Sequence, residues 1–177
     1  MAHPEQVWFC GNVKNQFPKH FKNVSVLDIG SLDINGNNRY LFENYTYTGV
    51  DLALGPNVDV ASRGHLYKSE KQFDVVISTE CFEHDEYYDL TIKNMYKLLK
   101  SGGLFMFTCA APGRPERGTT KTSQWQSPFT TDYYKNLSEE DVRKIIDVDN
   151  LFSEYNFFLR GDVHDLYFYG IKNNDHS

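Results

Sequence analysis

Glu80, Glu83, His84 and Asp85 fall within six consecutive positions, directly after the apolar run Phe73–Ser78. His84 has the unperturbed pKa best suited to moving a proton near neutrality. Glu83 offers a second proton-transfer group, although it and Asp85 equally suit the first turn of a following helix, where carboxylates meet the positive end of the dipole. Three potential ligands on one turn rarely converge on a single ion, so no metal is expected. A second set lies in 111–137, which opens APGRPERGTT. Arg114 and Arg117 could clamp a carboxylate or phosphate of a substrate, or belong to a solvated basic loop. Tyr133, with Trp125, Phe129 and Tyr134, supplies rings for a lid over a pocket or for packing. Cys81 and Cys109 have no evident activating partner and read as buried thiols.

A third set precedes both. Val24–Ile29 is an apolar run that stops at Gly30; the chain returns at Tyr47–Val50 and ends on Asp51, twenty-one positions after that glycine. Strand, glycine turn, helix, strand, acid is the βαβ order that places a nucleotide-like ligand above strand ends, and a carboxylate about 20 residues on holds a ribose diol. The turn nevertheless lacks G-x-G-x-x-G, because Gly30 is followed by Ser31, Leu32 and Asp33 and the next glycine is Gly36. No Gly-Lys-Ser/Thr follows either, so the P-loop also fails. Asp28 and Asp33 would repel a diphosphate. A ligand with a ribose and a positive charge but no phosphate fits better, which disfavours a nicotinamide-dependent reductase.

These groups need a core to hold them. With 177 residues, one domain (1–177) with a real interior is expected, and 40% hydrophobic with 24% charged residues is ordinary for a soluble fold. A net charge of −6 excludes a broad nucleic-acid surface. Cys10, Cys81 and Cys109 form no CxxC, so neither a disulfide framework nor a zinc site is expected. No basic leader or membrane-length apolar run is present, so the cytoplasm and no membrane partner are expected.

The N-terminal segment 1–22 reads as a helix over 3–22 with Val7, Phe9, Val13, Phe17 and Phe21 on one face, weakened by Gly11 and Pro18. A helix is expected from about Asn37 to Asn44, with Tyr40, Leu41 and Phe42 turned inward. A short strand follows at Val58–Val60. Phe73–Ser78 and Leu104–Cys109 read as strands buried on both faces. Between them, Tyr88, Ile92, Met95, Tyr96 and Leu99 make an amphipathic helix that Asp85 or a neighbour caps and Gly102-Gly103 stops. Residues 111–137 read as a substrate or lid loop. Ser138 and Asp141 make a variant capping box, and Leu151–Leu159 with Leu166–Ile171 make a terminal antiparallel hairpin.

In this order and spacing, VLDIGS, YTGVDL, FDVVISTECFEH and LLKSGGLFMFTC resemble the successive motifs of class I S-adenosylmethionine-dependent methyltransferases. The resemblance covers roughly Val24 to Pro112 and implies a Rossmann-like, doubly wound α/β fold with a mostly parallel seven-stranded sheet and a C-terminal antiparallel hairpin. It implies S-adenosylmethionine as cofactor and a small-molecule acceptor methylated on oxygen or nitrogen, with a non-catalytic binding or regulatory module as the alternative. Position by position, Asp28, Gly30 and Ser31 match the first motif, which holds the methionine part. Asp51 matches the ribose acid and Leu52 the apolar residue beside the adenine. Ser62 to His65 match the segment at the adenine edge, although an acid is common near the position of Ser62. Thr79 and Glu80 match the strand end beside the sulfonium. GSLDING departs from the usual closely spaced glycines and resembles a variant found in small members of the family.

Overall fold

The computed structural model describes residues 3–119, 121–122, 124–129 and 132–174. Positions 1–2 of the expected N-terminal helix, and 120, 123, 130 and 131 of the loop, lie outside the described residues. The chain runs α1 (Pro4–Gln16), β1 (Ser25–Ile29), β2 (Thr46–Asp51), β3 (Val60–Ala61), β4 (Phe73–Thr79), α2 (Tyr88–Leu98), β5 (Leu99–Ala110), α3 (Glu139–Ile145), α4 (Val148–Leu151), β6 (Phe152–Arg160) and β7 (Asp165–Lys172). The strands form one sheet in the order β3-β2-β1-β4-β5-β7-β6. β3 to β5 pair in parallel, and β7 lies antiparallel between β5 and β6. This is the expected doubly wound α/β sheet with its terminal hairpin.

Strands buried on both faces need apolar side chains at successive positions. On β4, Val75 and Ile77 join the core beneath α1, while Val76 joins the core beneath α2. On β5, Leu104 and Met106 face α1, whereas Phe105, Phe107 and Cys109 face α2. The period of two therefore builds two cores from one sheet. Along α2, Thr91, Ile92, Met95 and Leu98 are buried. α3 opens on the expected capping box: Asp141 N donates to Ser138 Oγ (3.2 Å) and Ser138 N to Asp141 Oδ2 (2.9 Å). Among the described residues no helix is long and apolar enough to cross a membrane.

Four elements differ from expectation. The single helix over 3–22 is instead α1 followed by a 3-10 turn at Pro18–Phe21, because Pro18 has no N–H to continue the helix. The helix expected over 37–44 is only a 3-10 turn at Arg39–Leu41. Polar side chains capture the main chain there: Gly36 N donates to Asp33 Oδ1 and Arg39 N to Asn37 Oδ1. Leu41 and Phe42 do turn inward, but Tyr40 is 54% exposed. Stacked rings fill the face a full helix would cover, Phe21 on Phe42 at 5.2 Å with Tyr45 and Tyr47 beside them. The third strand is Val60–Ala61 rather than 58–60. Finally, Gly102-Gly103 does not stop α2, which ends at Leu98. Both glycines lie within β5, where a side chain on Gly103 would strike Asp74 O at 2.8 Å.

Candidate active site

β1 and β4 are neighbours, and the chain leaves them toward opposite edges of the sheet, so their C-terminal ends open the crevice where such folds bind ligands. Gly30 ends β1 at φ +80°, a conformation that disfavours any side chain, and a Cβ there would lie 2.6 Å from both Cβ and Sγ of Cys81. Two adjoining cavities, about 760 and 630 Å³ with their mouths included, meet at Gly30, Asp51, Cys81 and His84. Burial keeps Cys81 a thiol by raising its pKa far above the usual value.

The smaller cavity is walled by Leu52, Ser62, Arg63, Gly64 and Phe129. Asp51 stands on the rim of both cavities. Its carboxylate is aimed by two main-chain amides, Leu32 N to Oδ2 (2.9 Å) and Leu52 N to Oδ1 (2.7 Å). Each oxygen keeps a lone pair for a further donor, the requirement for holding two vicinal hydroxyls. Burial raises the Asp51 pKa, and the two amides work against that shift. Ser62 N donates to Asp51 O, so the segment's backbone is tied to the same strand end.

The larger cavity has a charged floor. Glu80 follows β4 in the left-handed region, φ +52°, strain that a non-glycine residue adopts only when its surroundings enforce it. Here they do. His3 Nε2 donates to Glu80 Oε1 at 2.6 Å, and Arg114 Nη1 donates to Glu80 Oε2 at 2.9 Å and to Asp165 Oδ1 at 2.7 Å. Burial opposes ionisation of Glu80, but the His3 hydrogen bond and the Arg114 charge outweigh it and hold its pKa below the usual range. Glu83 has the opposite fate: burial, then the charge of Glu80 and a hydrogen bond with it, raise its pKa so that it keeps its proton. His3, Glu80 and Asp165 each bring a ligand atom within 4.8 Å of the others, the geometry of a metal site. The Arg114 guanidinium already supplies the positive charge between the two carboxylates.

His84 lines both cavities. Burial lowers its pKa to about 4, so the ring is neutral near pH 7, and Nδ1 is buried without a partner among the described residues. Gly118 (φ +71°) presses against that ring, where a Cβ would come within 2.7 Å of Cε1. Tyr134 packs edge-on against the imidazole at 5.5 Å. Arg117, next to Gly118, lines the same cavity and has no ion-pair or hydrogen-bond partner among the described residues. Its acidic neighbour Glu116 accepts from Thr119 Oγ1 instead.

Gly30, Asp51, Leu52, Ser62, Thr79, Glu80, Glu83, His84, Arg114 and Arg117 are thus brought together around the crevice. Four expected residues are not. Asp28 lies behind it, buried, accepting from Tyr47 Oη and from Asn38 Nδ2 (3.4 Å); burial raises its pKa to about 6. Ser31 Oγ donates to Asn57 O (2.7 Å), locking the turn to the β2–β3 connection. His65 stacks on Tyr87 at 4.5 Å. Tyr133 lies outside both cavities, and Tyr134 takes the wall position. Sequence reasoning overlooked His3 and Asp165, which arrive from 77 positions before Glu80 and 51 after Arg114. Neither belongs to a motif that could have marked it.

Residues 1–151 match the methyltransferase domain family. Among solved structures, the chain is similar to the N-methyltransferase NodS from Bradyrhizobium japonicum in complex with S-adenosylhomocysteine, with TM-score 0.64 and 15% identity over 98% of this chain and 90% of that one. It is similar to Burkholderia thailandensis 1,6-didemethyltoxoflavin-N1-methyltransferase with bound 1,6-didemethyltoxoflavin and S-adenosylhomocysteine, with TM-score 0.60 and 16% identity over 98% and 92%. Haemonchus contortus phosphoethanolamine N-methyltransferase 2, in complex with phosphomonomethylethanolamine and S-adenosylhomocysteine, matches with TM-score 0.61 and 16% identity over 92% of this chain and 53% of that chain. No curated protein matches the sequence.

Proposed function

Because the chain belongs to the methyltransferase domain family, with the class I S-adenosylmethionine-dependent fold, we propose that it transfers the sulfonium methyl of S-adenosylmethionine to oxygen or nitrogen of a small acceptor bearing an acidic group. The observation that carries this reading is Asp51 on the rim shared by both cavities, its two oxygens fixed by main-chain amides, beside Gly30, which lines both. Those residues fit the cofactor. Asp51 would take the ribose hydroxyls, Leu52 and Phe129 would flank the adenine near Ser62, and Gly30, Thr79 and Glu80 would border the methionine end. Asp28 and Ser31 support the turn from behind it. When bound, S-adenosylmethionine supplies an activated methyl carbon, which leaves the protein to position a nucleophile and handle its proton.

His84 is the proposed proton acceptor. It is neutral at pH 7 and lines both cavities. An imidazole of low basicity suits a nitrogen or an acidic hydroxyl better than an unactivated alcohol, which would need a stronger base. Nitrogen is also the atom that the three named neighbours methylate. Burial and the neighbouring Glu80 charge disfavour ionisation of Glu83, and its Oε2 already accepts from Ala110 N, so it is the weaker acceptor for the substrate's proton. Of the two loop arginines, Arg114 is committed to Glu80 and Asp165, which leaves Arg117 to hold a carboxylate or phosphate of the acceptor. Tyr133 is then an outer support for Tyr134.

The test is incubation with methyl-labelled S-adenosylmethionine and a panel of small amines, heteroaromatics and hydroxy acids, with labelled products read by mass spectrometry. The expected result is a labelled acidic acceptor, a loss of roughly 10²-fold or more in His84→Ala, as for removal of a general base, and unchanged S-adenosylhomocysteine affinity. Cofactor binding with no transfer to any acceptor would instead favour a non-catalytic binding module.

A further inference from the structure

β6 is the outer strand of the sheet, nine residues long, and nothing among the described residues pairs with its free edge. Natural edges are usually blunted by lysine, proline, a bulge or a covering loop, because exposed N–H and C=O groups template strand addition. The register irregularity of β6 is confined to Phe152–Glu154. From there the edge runs Tyr155-Asn156-Phe157-Phe158-Leu159, uncharged and rich in strand-forming residues, the type of segment that seeks a partner strand. Phe158 is 46% exposed and Leu159 65% exposed. Trp8 of α1, itself 46% exposed, extends the patch by meeting Phe158 edge-on at 5.8 Å.

We propose that this edge is a homodimer interface, in which β6 pairs antiparallel with β6 of a second copy about a two-fold axis at Phe157. Charge selects both partner and register. With Phe157 opposite itself, Glu154 faces Arg160 of the second copy, and by symmetry Arg160 faces Glu154 of that copy. Tyr155 then lies opposite Leu159, and Asn156 opposite Phe158. The faces agree as well. Glu154, Phe158 and Arg160 all lean toward α1, through Gln16 and Trp8, and Tyr155 and Phe157 lean toward Arg143 of α3. A register centred on Asn156 would set Glu154 against Phe158 and leave that carboxylate with no cation opposite it; Arg160, which pairs with Asp162 in its own copy, is shared with Glu154 of the second copy only when Phe157 is on the axis. The strand is self-complementary, as an isologous interface requires.

Sedimentation equilibrium of the full chain, at several concentrations, tests this. The expected mass is twice 20.6 kDa. Glu154→Arg sets two like-charged pairs across the axis and should weaken dimerisation by about tenfold. The double variant Glu154→Arg with Arg160→Glu should regain most of that loss, whereas Phe158→Lys should give a monomer that stays folded, with an unchanged far-ultraviolet circular dichroism spectrum and a melting temperature no longer dependent on concentration. A chain that stays monomeric at every concentration overturns the proposal, even if another protein binds the edge. So does a dimer that none of the β6 substitutions weakens, or a double variant no better than Glu154→Arg.

Discussion

His3→Ala removes the cation that the N-terminal segment brings to Glu80. Both ring nitrogens of His3 face carboxylate oxygens, Nε2 at 2.6 Å from Glu80 and Nδ1 at 2.9 Å from Glu5, a setting that favours the imidazolium. Burial disfavours that charge, but the Glu80 hydrogen bond and charge outweigh it and raise the pKa above 6.5. The Glu80 side chain is only 5% exposed, so water does little to screen the bond. A hydrogen bond between charged partners contributes about 1.5–3 kcal/mol. Since Arg114 remains as a second cation, about 2 kcal/mol is the expected cost, and the Glu5 contact at the surface adds little. For a chain of this length that lowers the melting temperature by roughly 4–8 °C. A raised folded pKa means that the stabilisation is fully present below 6.5 and is lost as pH rises through the folded value. Scanning calorimetry should therefore find the full difference between wild type and His3→Ala at pH 6 and a much smaller one at pH 9. Equal differences at both pH values, or none at pH 6, would refute the reasoning.

Gly30→Ala should destabilise the fold, since a left-handed alanine costs about 1–2 kcal/mol before its contact with Cys81 is counted; pairing it with Cys81→Gly should recover part of the loss in urea unfolding. Arg114→Gln leaves Glu80 and Asp165 buried with only His3 between them and should cost about 3–5 kcal/mol in urea unfolding. An unchanged unfolding midpoint would contradict its role as the central cation.

Strands β1, β4 and β5 are legible in the sequence because double burial writes uninterrupted apolar runs, and α2 because its stripe keeps helical spacing. The missing helix after Gly30 is not legible from periodicity. Its outcome depends on Asp33 and Asn37 competing for main-chain amides, and on whether stacked rings can cover the sheet face in its place. The two glycines in β5 mislead for a similar reason, since a close approach to Asp74 and a helix stop demand the same residue. In the crevice, Gly30, Asp51 and the Glu80–His84 run announce themselves by spacing along single strand ends. His3 and Asp165 are invisible in that sense, because each joins the Glu80–Arg114 cluster from a different part of the chain. Which arginine is free is also a tertiary fact: Arg114 and Arg117 are three positions apart and chemically identical, and Glu80 after β4 with Asp165 delivered by β7 separates their roles.

Titration of S-adenosylmethionine into wild type and Asp51→Ala bears most directly on the central claim. Wild type should bind both S-adenosylmethionine and its demethylated product, and Asp51→Ala should lose about a hundredfold or more in affinity with the loss of two charge-assisted hydrogen bonds to the ribose. No binding by wild type, or binding by Asp51→Ala within about twofold of it, would contradict the account.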